Sequence, residues 1–86
     1  MPNVRAAKKA LRQSERARLR NLKRKESIRH VIRQIRKHLS AGQKQEAQAL
    51  LPQLAKAADK AASRGAIHKN KAARLKARFM KLVAQA

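Results

Sequence analysis

The chain has 86 residues, 24 of them lysine or arginine against four acids, for a formal net charge of +20. Forty-three per cent of the residues are hydrophobic, but 18 of these are alanine, Phe79 is the only aromatic and cysteine is absent. That excludes disulfide staples, thiolate metal sites and an apolar core large enough to order the whole chain unaided.

No run of 18 apolar residues exists to span a membrane, and no apolar h-region opens the chain as a secretory signal would. Two glycines, Gly42 and Gly65, divide the sequence into three segments. Both stand where a helix would end on a left-handed residue. The segments are rich in Ala, Leu, Lys, Arg and Gln, and none alternates as a strand would. The expected fold is all-α: a three-helix bundle with a long, projecting, basic N-terminal helix, forming a single domain over 1–86.

The first helix is expected over roughly 4–40 and changes character along its length. Ile28, Val31, Ile32, Ile35 and Leu39 form a core stripe at helical spacing. Extended backwards, that stripe meets only small or polar residues: Asn21, Ala17, Ser14, Ala10 and Ala6. On the opposite side Arg5, Lys9, Arg12, Arg16, Arg20 and Lys23 align by the same period. The C-terminal half of this helix can join a bundle, and the N-terminal half is expected to project from it.

The second helix is expected over 43–63, with Ala47, Leu50, Leu51, Leu54, Ala55, Ala58, Ala61 and Ala62 on its apolar face. Pro52 interrupts the pattern. Either it kinks the helix by removing a hydrogen bond to the Gln48 carbonyl, or the regular helix starts near it after a looser turn. The third helix is expected over 67–84, with Ala72, Leu75, Phe79, Leu82 and Val83 inward and Asn70, Arg74, Arg78 and Lys81 outward.

Charge divides unevenly among these segments. Residues 1–38 hold 14 basic and two acidic groups, residues 41–64 four and two, and residues 65–86 six and none. On this distribution helix two is the solvent-facing member, and helices one and three share the charged work. A chain of +20 repels itself unless a polyanion is present. Arg5, Lys8 and Lys9 open helix one, and His68, Lys69 and Lys71 open helix three. Cations there oppose the macrodipole, and a phosphate at each N-terminus would remove the conflict. Single-strand readers stack bases on aromatic rings. One phenylalanine on a core stripe cannot do that, so recognition is expected to run through phosphates and the shape of folded or duplex nucleic acid.

Nothing points to catalysis. Glu15, Glu26, Glu46 and Asp59 include no pair at i, i+3 or i+4, and His30, His38 and His68 lack ligand-like spacing. Ser14, Ser27, Ser40 and Ser63 have no adjacent base. No enzyme activity, cofactor, bound metal or small-molecule substrate is expected. Asp59 is expected to pair with a cation of helix three.

The segment D-K-A-A-S-R-G-A-I-H-K-N-K-A-A-R from Asp59 to Arg74, the opening M-P-N-V-R-A-A-K-K and the E-R-A-R-L-R-N stretch from Glu15 to Asn21 together resemble bacterial small-subunit ribosomal protein twenty, the S-twenty family. The resemblance covers essentially the whole chain. It implies a three-helix bundle in the cytoplasm, within the ribosome, bound directly to 16S ribosomal RNA and stabilising that RNA during assembly. Other small-subunit components would be partners by proximity. The RNA-binding candidates on helix one are Arg5, Lys8, Lys9, Arg12, Arg16, Arg20, Lys23 and Arg24. Those on helix three are His68, Lys69, Asn70, Lys71, Arg74, Arg78 and Lys81.

Two other classes are weaker. A DNA-compacting architectural protein would need an apolar wedge or a dimer arm. A cationic membrane-surface helix would need bulky apolar residues opposite its charges, where the N-terminal half offers mainly alanine.

Overall fold

The computed structural model describes residues 4–86. The M-P-N of the opening motif, and the first three residues of the expected domain, lie outside the described residues. Three helices follow in order: α1 over Val4–Ser40, α2 over Lys44–Ser63 and α3 over Lys69–Gln85. Among the described residues there is no strand, as the all-α expectation required.

Both glycines end helices as their positions predicted. Gly42 has φ +73° and Gly65 φ +77°. At the first turn the Gln43 N–H donates to the His38 carbonyl at 2.8 Å and the Gly42 N–H to that of Leu39 at 3.1 Å. At the second, Ala66 donates to Ala61 at 2.8 Å and Gly65 to Ala62 at 3.1 Å. Each pair of bonds is a Schellman motif, which satisfies carbonyls that the helix end would otherwise orphan. A Cβ at either glycine would meet nothing within 4 Å, so backbone conformation, not space, selects glycine there.

The core is small and drawn from every helix. Ile28, Val31 and Ile35 of α1, Ala47, Leu54, Ala58 and Ala61 of α2, and Ala72, Phe79 and Val83 of α3 are buried, with Ile67 from the last turn. Burying such side chains is the main term that holds the helices together. Leu82, expected inward, is 43% exposed. One residue of rotation, about 100°, separates it from Val83 and puts it on the helix flank.

The placement of α2 overturns the reading from charge. This helix packs against both α1 and α3, whereas α1 and α3 have far fewer close backbone approaches. Its low charge is the mark of a central element, not of a solvated one. Its apolar arc is wide enough for two neighbours: the buried and half-buried positions from Ala57 round to Ala55 span about 160°. The helix also runs without interruption through Pro52, so the alternative in which it begins near that residue is wrong. Gln48 and Pro52 are both exposed, and water can satisfy the carbonyl that proline leaves unpaired.

α1 outruns the bundle. Its 37 residues are about 55 Å long at 1.5 Å per residue, in a molecule measuring 62 × 22 × 14 Å. Ile28 is the first buried residue along it, and Val4, Leu11, Leu19 and Leu22 are all at least half exposed. The N-terminal half therefore projects as expected, although Asn21 and Arg24 are half-buried and Arg24 shares a cleft with Ala57 and Lys60 of α2.

Candidate nucleic-acid interface

Because α2 runs antiparallel between its neighbours, the N-terminus of α3 lies toward the projecting half of α1. The side-chain contacts fix this polarity. Lys71 of α3 shares a cleft with Lys25 and Arg29 of α1, while Phe79, further along α3, has the Arg36 guanidinium 5.7 Å from its ring centroid. The Lys44 ammonium, at the start of α2, reaches the Ala84 carbonyl at the far end of α3. One end of the bundle thus gathers the projecting helix, the first turn of α3 and the last turn of α2.

On α1, Arg5, Lys8, Lys9, Arg12, Arg16, Arg20 and Lys23 are exposed and Arg24 is half-buried. The Arg24 guanidinium donates to Asn21 Oδ1 at 3.1 Å, which holds it along the helix. On α3, Lys69, Asn70, Lys71, Arg74, Arg78 and Lys81 are exposed. They do not form one patch. Lys69 and Lys71 belong to the cationic end, while Arg78 lies against the core ring, its guanidinium 5.9 Å from the Phe79 centroid. That distance suits a cation–π contact, so part of this side chain serves the fold.

α3 begins at Lys69 rather than 67 because Ile67 is buried in the turn and His68 caps the helix. The Asn70 N–H donates to His68 Nδ1 at 3.1 Å. With Nδ1 as the acceptor, His68 is the cap of α3, a role that its expected place among the cations did not include. The capped end is correspondingly a smaller anion site: the amides of Lys69 and Lys71 are left without intrahelical acceptors.

Two of the acids form ion pairs. Lys76 Nζ meets Asp59 Oδ1 at 2.7 Å, which is the expected pairing of Asp59 with helix three. Arg29 meets Glu26 at 2.8 Å within α1. Both pairs are exposed enough to contribute at most about 1 kcal/mol.

Three basic residues beside the predicted set escaped sequence reasoning. Lys60 of α2 lines a cleft with Arg20, Lys23 and Arg24 of α1, and Lys25 and Arg29 flank Lys71. No periodicity within one helix reveals these groupings, since each needs the placement of a second helix. Among the described residues no group of three His, Cys, Asp or Glu side chains is arranged to hold a metal.

Comparison with known proteins finds similar sequences over nearly the whole chain. The family model described as ribosomal protein S20 matches residues 2–84. The small ribosomal subunit protein bS20 of Kineococcus radiotolerans is 44% identical over 85 residues, covering 99% of both chains. The bS20 protein of Thermomicrobium roseum is 46% identical over 81 residues, or 94% of this chain and 82% of its own. That of Mycobacterium leprae is 46% identical over 76 residues, 88% of each.

Proposed function

The chain belongs to the ribosomal protein S20 family, structural components of the small ribosomal subunit, and on that premise we propose that it binds 16S ribosomal RNA directly, through phosphates and RNA shape, and stabilises the folding of that RNA during assembly. A protein of this family is a structural part of the ribosome, cytoplasmic in bacteria, and not an enzyme. Neighbouring small-subunit components are partners by proximity.

The observation that carries the proposal is the projecting half of α1. It has no buried residue from Val4 to Ser27, bears cations along its length, and points from the end of the bundle where α3 also begins. Such a rod suits a groove or junction between RNA helices, where phosphates from more than one strand surround it. With no exposed aromatic ring to stack on, it suits folded RNA better than single strands.

The test is binding of the full chain to naked small-subunit ribosomal RNA over a series of salt concentrations, with duplex DNA as competitor. Neutralising about 8–10 phosphates gives a slope of log affinity on log salt of about −6 to −9. A protected footprint with that slope, and preference over the DNA, is the expected result. A slope shallower than about −3, or equal competition by the DNA, would overturn the proposal.

A further inference from the structure

Between the middle of α1 and the end of α2 lies a cleft of about 280 Å³, walled by Arg20, Lys23, Arg24 and Lys60 with Ala57 and Ser27 beside them. The cations come from two helices. Among the described residues none of the four is paired with a carboxylate. The Ser27 hydroxyl donates to the Lys23 carbonyl at 3.1 Å, so its proton is committed and the cations supply the donors. The short side chain of Ala57, half-buried against the core, keeps the space open. It amounts to the liquid share of roughly nine waters, enough for a phosphodiester group and part of its hydration.

Four like charges gathered without a counter-ion repel one another, and a bound anion reverses the sign of that interaction. Arginine supplies forked donors that match phosphate oxygens, while lysine supplies mobile point charges. We infer that this cleft seats a backbone phosphate of the RNA, and that Lys60, on the otherwise weakly charged central helix, is a binding residue. The inference deepens the RNA-binding reading and rests on it. A phosphate held from both helices also fixes the projecting part of α1 relative to α2, at the place where the apolar core gives out.

The experiment compares Lys60→Ala with Lys56→Ala in the full chain against naked small-subunit ribosomal RNA. Lys56 is one turn earlier on the same helix, exposed, and is not among the residues that wall the cleft. Lys60→Ala is expected to weaken binding about tenfold and to make the salt slope shallower by about one. Lys56→Ala is expected to stay within about twofold, as a solvated cation should. Ala57→Leu fills the cleft while keeping all four charges and is expected to weaken binding comparably. In a double-mutant cycle, Lys60→Ala and Lys23→Ala should together cost less than the product of their separate effects, since both act on one phosphate. Circular dichroism of the free variants checks that each folds, and Lys60→Ala decides the case alone because alanine is favoured on an exposed helix surface. If the parent binds RNA and Lys60→Ala is no weaker than Lys56→Ala, the cleft is not a phosphate site, although RNA binding stands. If the parent itself fails to bind, the RNA-binding reading falls and this site with it.

Discussion

At the scale of single residues, chemistry and position conflict most at the start of α3. Lys69 and Lys71 stand in the first turn, where the positive end of the macrodipole disfavours them, and His68 relieves only one of the orphan amides. Both lysines are exposed, and among the described residues neither has a carboxylate partner, so the fold gains nothing from their charges. Replacing both with alanine should leave the free protein as stable as the parent or slightly more so, read as a thermal melt. Affinity for small-subunit RNA should fall about tenfold for each charge-assisted hydrogen bond to phosphate that is removed. Lower stability of the free double variant with unchanged affinity would show that these lysines serve the fold. Phe79 presents the converse case. It is 1% exposed and has guanidiniums near its ring, so the one aromatic of the chain is spent on the core and has no face left for a base.

At the scale of elements, α1 is two different objects in one helix. From Ile28 onward it is ordered by burial. Before that it must stand on helix propensity against repeated like charges at i, i+4: Arg5 and Lys9, Lys8 and Arg12, Arg12 and Arg16, Arg16 and Arg20, Arg20 and Arg24. Each such pair destabilises a helix by about 0.2–0.5 kcal/mol, and amides without packed neighbours open readily. Hydrogen exchange of the free protein should find residues 4–24 weakly protected and the stretch from Ile28 to Leu39 strongly protected, with the first segment slowing when RNA is bound. Strong protection of 4–24 without RNA would mean that the helix is stable by itself. α2 is the opposite kind of element, with alanines at Ala47, Ala58 and Ala61 fully buried. Their short side chains let both neighbours approach closely.

At the scale of the whole molecule, a net charge of +20 on 86 residues is set against a core that, among the described residues, holds eleven buried side chains, four of them alanine. Self-repulsion disfavours the compact state, and the ion pairs of Asp59 and Glu26 are too exposed to offset it. Salt screens charges spread over such a surface, with a Debye length near 30 Å at about 0.01 M falling to about 8 Å at 0.15 M. The melting temperature of the free protein should therefore rise between those conditions. Relief of about 1 kcal/mol would raise it by roughly 4–8 °C in a domain of this size. A melting temperature that falls with salt would indicate that attractive pairs outweigh repulsion. The same balance explains why a polyanion is a natural partner: it neutralises the charge that the fold alone must tolerate.

The C-terminal ends of α1 and α2 were legible in the sequence because their causes are local. Gly42 and Gly65 are read from their need for positive φ, and the stripe from Ile28 to Leu39 from the helical period. The projection of α1 follows from the end of that stripe, and the polyanionic partner from charge and missing aromatics. What lay beyond reach depended on which faces meet. Arginine-free, weakly charged α2 looked solvated because its charge says nothing of the width of its apolar arc. Leu82 looked buried because the rotation of α3 about its own axis is not fixed by the helical period alone. His68 looked like one more basic residue of the opening turn, and its role as the cap needed the Asn70 amide in place against its Nδ1. Lys60 joined Arg20, Lys23 and Arg24 only when α2 was laid antiparallel against α1. Helical period and turn residues act over a few positions and are written in order along the chain. The grouping of charges from different helices is set by how three apolar faces pack, and that is a property of the tertiary structure.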